Sequence, residues 1–155
     1  FQLPLAQVDS LRCEEVLDKP LPEMHIRASI TALRYANKTG SRLFVPVAPL
    51  RSGPGRFTTE RRHDLWIDKG YCDTDSLTLH LPEGYVVEAL PKSVTIENRF
   101  GKVAFEALCS GDRLHIRIRL LRRSGRYPQS EYAAFREFMQ AVDRVYSAKI
   151  VLRKV

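Results

Sequence analysis

Three cysteines and two of the histidines are the residues of this chain that could support nucleophilic catalysis. A catalytic cysteine needs a histidine that takes its proton and a carboxylate that orients the histidine. Cys72 lies among turn residues with His63 and His80 as candidate partners, but nothing in the spacing requires a triad. Cys13 follows a predicted helix start that would stabilise a thiolate, yet every histidine lies downstream of it. We therefore expect no catalytic residues in this chain.

The cysteine count also limits disulfide and zinc chemistry. Cys13, Cys72 and Cys109 are odd in number and far apart, and no CxxC pair is present. At most one internal disulfide can form, and a zinc or redox motif is excluded. Cysteine is among the residues most often found in protein interiors. We therefore expect three buried or half-buried thiols.

Other metal sites would need histidine or carboxylate side chains at close, repeated intervals. Two clusters approach this pattern, His63-Asp64 with Asp68 and Asp73-Thr74-Asp75. The second cluster resembles a fragment of a calcium loop, but no glycine and no later bidentate glutamate complete it. An Asx-type turn that opens a strand is the simpler interpretation. We predict no metal site and no cofactor.

A row of basic residues is the clearest electrostatic pattern in a chain of formal net charge +7. The row consists of Arg113, His115, Arg117 and Arg119, which would share the outer face of one strand if the residues between them point inward. Such a row could meet phosphates or an anionic sugar. Neighbouring strands would bring Glu97 and Glu106 to the same face, so cross-strand ion pairs are the simpler account. Because the aromatic residues follow core patterns, we predict no nucleic-acid binding.

The only tryptophan lies beside a basic segment. Trp66 follows Arg61 and Arg62, and an exposed indole there could stack on a sugar ring or anchor a protein partner. Leu65 and Ile67 flank it, however, so a strand with Trp66 packed in the core fits as well. Both interpretations stay open. The candidate binding residues are Trp66, Arg61, Arg62, Tyr71, Tyr85, Arg117 and Arg119.

Short strands separated by turns position most of these residues. The chain has 155 residues, enough for one domain with a real hydrophobic core. Alternating segments with regular turn signals predict successive strands, and an apolar stripe predicts a helix at about 129–146 with Ser130 as its N-cap. We predict a mainly β protein, an antiparallel β-sandwich with this one C-terminal α-helix packed against it. No segment is apolar over the length of a membrane span.

The N-terminal region differs from the rest of the chain in its predicted structure. We predict that residues 1–22 are a lead-in or linker from an upstream domain, with a short helix from Asp9 or Ser10 to Leu17, and that residues 23–155 form the single sandwich domain. The segment from Ile26 to Ala32 alternates as a half-buried strand does. Residues 50–62 predict a long surface loop. The start has neither a methionine nor a signal peptide, which a processed chain would explain.

Several motifs, taken in order, carry a family resemblance. They are Arg42-Leu43-Phe44-Val45-Pro46, Gly70-Tyr71-Cys72-Asp73-Thr74-Asp75-Ser76-Leu77, Leu81-Pro82-Glu83-Gly84-Tyr85, Leu90-Pro91, Ser124-Gly125-Arg126-Tyr127-Pro128, Tyr132 with Phe135-Arg136-Glu137-Phe138, and Lys149-Ile150-Val151-Leu152. In their order and spacing, the chain from about Gly40 to Val155 resembles the C-terminal domain of exported transglutaminase-like proteins of Bacteroides-type bacteria. In that family such a domain follows a β-rich N-terminal domain and a transglutaminase or papain-like core.

This resemblance implies a periplasmic or cell-surface location in a Gram-negative bacterium, with the catalytic residues in the upstream core. We expect a non-catalytic accessory domain that positions or docks on the catalytic module or its protein substrate. Its partners would be the upstream domains of the parent protein, or a protein or glycan substrate. A large interface with the absent core would appear as an exposed apolar patch. The alternative is a carbohydrate-binding module, with Trp66, Tyr71 and Tyr85 as its aromatic platform.

Overall fold

Strands dominate the structure, a computed structural model that describes residues 3, 5–51, 57 and 60–155. The chain divides into two compact units, unit 1 at Phe1–Tyr35 and unit 2 at Ala36–Val155. The boundary expected after residue 22 lies at the turn inside unit 1, because residues 23–32 pair with the strand that precedes them. No helix within the described ranges is long and apolar enough to cross a membrane.

Unit 1 contains an antiparallel hairpin of β1 (Ala6–Val16) and β2 (Glu23–Ala32). The predicted helix that ends at Leu17 is therefore wrong. A register shift between Val8 and Ser10 moves the alternation of β1 by one residue. Val8 and Leu11 are therefore three residues apart although they lie on the same face of the strand. In the sequence this spacing resembles that of a helix, although each of the two residues lies opposite a β2 residue.

Two four-stranded antiparallel sheets make up most of unit 2. The first has the order β6 (Tyr71–His80), β10 (Arg113–Arg122), β9 (Gly101–Ser110) and β8 (Val94–Asn98). The second has the order β3 (Asn37–Thr39), β4 (Arg42–Pro46), β12 (Lys149–Lys154) and β7 (Tyr85–Ala89). A smaller pair joins β11 (Gly125–Tyr127) to β5 (Leu65–Ile67).

Alternation along the strands of unit 2 separates a buried face from an exposed one. Leu114, Ile116 and Ile118 of β10 are buried, as are Ile150 and Leu152 of β12. Between the buried residues of β10, His115 and Arg117 are exposed, whereas Val151 between the buried residues of β12 is half-buried. The prediction of a mainly β, antiparallel sandwich with one C-terminal helix is confirmed.

The helix α1 (Tyr132–Tyr146) follows a short 3-10 helix, Gln129–Glu131, close to the predicted bounds. Its apolar stripe is buried, and the Phe135 ring packs edge-on against Phe100 with ring centroids 5.5 Å apart. Ser130 lies inside the 3-10 helix, and the N-cap residues of the two helices, Pro128 and Glu131, make no side-chain capping hydrogen bond. The prediction of Ser130 as N-cap is therefore wrong.

The predicted loop at residues 50–62 is described only in part. Residues 52–56 and 58–59 lie outside the described residues, and the described ones carry neither helix nor strand. Phe57 contacts the helix, with its ring edge-on to Phe135 and ring centroids 5.6 Å apart. This contact places residue 57 over the buried stripe of α1.

Candidate functional site

The three cysteines lie on separate strands and are all free and exposed. Cys13 lies in β1, Cys72 near the start of β6 and Cys109 near the end of β9. The expectation of buried or half-buried thiols is wrong, because Cys13 belongs to a hairpin with an exposed face and the other two lie near strand ends. Cys13 also lacks the helix start that would have stabilised a thiolate.

Asp73 and Asp75 both accept hydrogen bonds from Arg51. Arg51 Nη1 donates to Asp73 Oδ2 at 2.8 Å, and Arg51 Nε donates to Asp75 Oδ2 at 3.0 Å. The hydrogen bonds that Arg51 donates to Asp75 raise the pKa of its guanidinium. Both aspartates lie within β6, so the predicted Asx-type turn is wrong. Among the described residues, no three His, Cys, Asp or Glu side chains are grouped as a metal site.

The basic row of β10 is exposed as the alternation predicted. Arg117 lies opposite Glu106 of β9, yet no ion pair forms at Arg117 or Arg119 within the described part of the chain. Arg119 lines a depression of about 260 Å³ together with Lys102, Ala104 and Leu121. The row is therefore a solvated cationic face with one carboxylate directly opposite it.

Glu97 pairs elsewhere. Its carboxylate lies 3.0 Å from Lys102 Nζ and 3.0 Å from Arg123 Nη2. The hydrogen bond from Lys102, followed by that from Arg123, lowers the pKa of Glu97. The predicted ion pair between Glu97 and the basic row is wrong, because β9 separates β8 from β10 in the sheet.

Trp66 is 74% exposed, whereas Leu65 and Ile67 on either side of it are buried. The core-packing interpretation is therefore wrong, and the indole points into solvent from β5. Arg126 of β11 lies directly opposite Trp66 in the register of the two strands. Arg126 Nε lies 3.5 Å from Asp64 Oδ2. An aromatic ring and a cation thus project side by side from one small sheet.

Hydrogen bonds fix the segment that leads into β5. Arg61 Nε donates to the His63 carbonyl at 3.0 Å, and Gln129 Nε2 donates to the Arg61 carbonyl at 2.7 Å. The Arg61 guanidinium lies over the Tyr132 ring, 5.6 Å from its centroid. Arg61 therefore supports the segment, while Arg62 is exposed beside it.

The remaining predicted residues lie on other strands. Tyr71 is the first residue of β6, and its side chain is exposed. The Arg122 guanidinium lies over the Tyr71 ring, 5.9 Å from its centroid. Tyr85 is half-buried in β7, which belongs to the other four-stranded sheet. Sequence reasoning missed Arg126 as a site residue and considered Asp64 only as a possible metal ligand, because the pairing of two three-residue strands far apart in the chain leaves no readable periodicity.

The hairpin of unit 1 has one apolar and one polar face. Its register pairs Val8 with Ile30, Leu11 with Ala28 and Cys13 with Ile26 on one face, where Glu15 lies opposite Met24 at the end next to the turn. The other face pairs Ser10 with Ser29, Arg12 with Arg27 and Glu14 with His25. The apolar face is exposed, with Leu11 at 60%, Ile26 at 60% and Met24 at 62%. Ile30 and Ala32 are half-buried as expected, whereas Ile26 and Ala28 are not.

Comparisons with known proteins locate unit 2 in a family. A family model described as "Domain of Unknown Function with solved-structure structure (DUF3858)" matches residues 41–152. The fold is similar to the crystal structure of a "putative protease" from Parabacteroides distasonis ATCC 8503, with a TM-score of 0.59 and 13% identity. That alignment covers 71% of this chain and 23% of the Parabacteroides chain. No curated protein matches the sequence.

Proposed function

This chain belongs to the DUF3858 family of domains of unknown function, and on that premise we propose that it is a non-catalytic accessory β-sandwich domain of a larger exported protein. The parent would carry a transglutaminase-like catalytic module in the periplasm or at the cell surface. The domain would dock on that module and position it or its protein substrate. A modular parent is supported by the fold comparison, in which the aligned region is 23% of the Parabacteroides chain.

The exposed apolar face of the hairpin carries this proposal. An isolated two-stranded hairpin is marginally stable at best in water. Burial of one Leu, Ile or Met side chain stabilises a protein by about 1.5–3 kcal/mol relative to exposure. Leu11, Met24 and Ile26 each leave more than half of their surface in water. A hairpin with this face uncovered lacks the burial that would hold its two strands in place.

The polar face of the same hairpin supports the proposal of a partner on one side only. Antiparallel sheets commonly pack one face on a core and leave the other in water. Ser10, Arg12 and Glu14 lie on one face with Ser29, Arg27 and His25 opposite them, which suits contact with solvent. We infer that the apolar face is covered by the hydrophobic core of a module that precedes this chain in the parent polypeptide.

Single lysine substitutions in the full-length parent protein test this arrangement. Leu11→Lys and Ile26→Lys change the apolar face, and Ser10→Lys and Ser29→Lys are matched controls on the polar face. The apolar-face variants should lower the free energy of unfolding by about 2 kcal/mol or more, because an ammonium group would enter an apolar interface. The polar-face variants should change it by less than about 0.5 kcal/mol.

Two results would contradict the proposal. Equally small effects of all four substitutions would mean that the apolar face stays in water in the parent protein, and equally large effects would mean that both faces are buried. Dimerisation of this chain that Ile26→Lys abolishes and Ser29→Lys leaves intact would mean that a second copy covers the face. Light scattering and analytical ultracentrifugation distinguish the second result from docking.

Carbohydrate binding is the second candidate function, and the exposure of Trp66 favours it. An aromatic ring held in solvent by a structured strand can stack on the apolar face of a sugar. Tyr71 and Tyr85 lie in the two four-stranded sheets, whereas Trp66 lies in the sheet of β5 and β11. Of the three aromatic residues predicted from the sequence, Trp66 is therefore the one that the sheet of β5 and β11 presents.

A further inference from the structure

We propose that Trp66 and Arg126 bind a sugar residue that carries a carboxylate, a hexuronic acid in an anionic glycan. The site lies wholly within unit 2, so it does not depend on what covers the hairpin. The inference rests on the second candidate function, to which it gives a site and a class of ligand. Trp66 would stack on the pyranose ring while Arg126 pairs with the carboxylate.

The register of β5 and β11 places the two groups together. Trp66 lies directly opposite Arg126, and directly opposite residues of an antiparallel pair have Cβ atoms about 4.5–5.5 Å apart. Leu65 and Ile67 are 7% and 3% exposed and anchor the strand on both sides of Trp66. The indole is therefore presented from a fixed backbone, which reduces the entropy that a ligand must remove on binding.

Asp64 orients the Arg126 guanidinium but leaves most of its N–H donors free for a ligand. The distance of 3.5 Å from Arg126 Nε to Asp64 Oδ2 is longer than a charge-assisted hydrogen bond of about 2.7–2.9 Å. A guanidinium carries five N–H donors, so one loose contact leaves most of them for a ligand. The Arg126 side chain is 78% exposed, which keeps those donors in solvent. A sugar carboxylate would accept two of them in a bidentate pair.

The surroundings of Trp66 favour a sugar over a protein partner. Stable protein interfaces need a buried apolar centre and about 1,600 Å² of total buried surface. Residues 61–64 and 68–70 around β5 are polar or glycine, and Leu65 and Ile67 face the interior. A single aromatic ring among charged groups matches a pyranose, which has an apolar face and a polar rim.

The sequence provides a direct reporter, because Trp66 is the only tryptophan of the chain. Tryptophan fluorescence of the whole chain would be titrated with oligogalacturonate and, in parallel, with its methyl ester, which removes the negative charge and keeps the sugar. We expect a saturable change with the acid form and at least about tenfold weaker binding of the ester. Calorimetry should show no binding of the acid form to Trp66→Ala.

A matched charge substitution separates this site from general attraction to a basic protein. Arg126→Gln should weaken binding of the acid form about tenfold, whereas Arg153→Gln, at an exposed arginine of β12 outside the basic row, should leave it unchanged. Equal weakening by both variants would overturn the proposal in favour of non-specific electrostatics. Equal affinity for the ester, or no response to either oligosaccharide, would also overturn it. None of these results changes the outcome expected for the hairpin variants, so the docking proposal and the sugar site are tested separately.

Discussion

Asp64 caps a helical segment that begins 65 residues later, since its Oδ1 accepts a hydrogen bond from the backbone N–H of Gln129 at 3.2 Å. Helix starts leave backbone donors without partners, and a carboxylate is well suited to accept from them. The other oxygen of Asp64 lies 3.5 Å from Arg126 Nε. One loop carboxylate therefore connects the start of the helix to the cation beside Trp66.

The first prediction concerns this carboxylate. Asp64→Ala should lower the free energy of unfolding by about 1 kcal/mol, as loss of a helix cap commonly does. Asp64→Asn keeps an acceptor and should lose less than half of that amount. Urea denaturation followed by circular dichroism measures both variants. Unchanged stability of Asp64→Ala would show that the bond to Gln129 contributes nothing.

Gly101 is predicted to tolerate no side chain. A Cβ at this position would lie 2.0 Å from the Leu121 carbonyl oxygen and 3.2 Å from Cζ of Phe138. Gly101→Ala should cost about 3 kcal/mol or more, because both neighbours are held by the sheet and the helix. Gly111→Ala has open space and a φ of +60°, so about 1–2 kcal/mol is expected. Thermal unfolding ranks the two variants, and the reverse order would contradict the packing described for β9.

Tyr146 should control stability at alkaline pH. Burial raises the pKa of Tyr146 from 10.0 to about 12, so the folded protein keeps a proton that the unfolded chain loses. The resulting stability is complete below pH 10 and falls as the pH rises towards 12. Tyr146→Phe should make this fall shallower, although burial of Tyr35 leaves part of it. An unchanged pH profile in the variant would contradict the assignment.

The same substitution should not destabilise the protein near neutral pH. The Tyr146 hydroxyl is buried and has no hydrogen-bond partner among the described residues. An unsatisfied buried hydroxyl costs about 1–3 kcal/mol, so Tyr146→Phe should be neutral or stabilising. Urea denaturation near neutral pH provides the comparison. A loss above about 1 kcal/mol would point to an acceptor that the hydroxyl requires.

The three thiols should react in the folded protein. Cys13, Cys72 and Cys109 are all exposed and free, so a chromogenic disulfide reagent should titrate all three without denaturant. Serine variants at each position should remove one equivalent apiece. If one thiol reacts only after denaturant is added, its exposure here is contradicted.

Alternation and apolar stripes made the sandwich and its helix predictable. The runs in β9 and β10 and the stripe of α1 are long enough for their periods to be read from the sequence. The bulge in β1 caused the wrong prediction of a helix there, because Val8 and Leu11 on either side of it have a helical spacing in the sequence. The orientation of Trp66 stayed open because a strand of three residues carries too little alternation to set its inner face.

The candidate site was less predictable than the fold, because it depends on long-range pairing. Trp66 was identified from its residue type and its basic neighbours, whereas its partner Arg126 follows from the pairing of β5 with β11. Asp64 was noted only as a possible metal ligand. The apolar hairpin face could be recognised only after the register of β1 and β2 was known.

Hydrogen exchange of the β1 and β2 amides tests the docking role most directly, by comparison of this chain alone with the full-length parent protein. We predict fast exchange of these amides in the isolated chain and slow exchange in the parent, because the parent would cover the apolar face of the hairpin. The amides of β9 and β10 should be protected in both samples and serve as the control. Equal protection of the hairpin in the two samples, whether high or low, would contradict the proposal that an upstream module covers it.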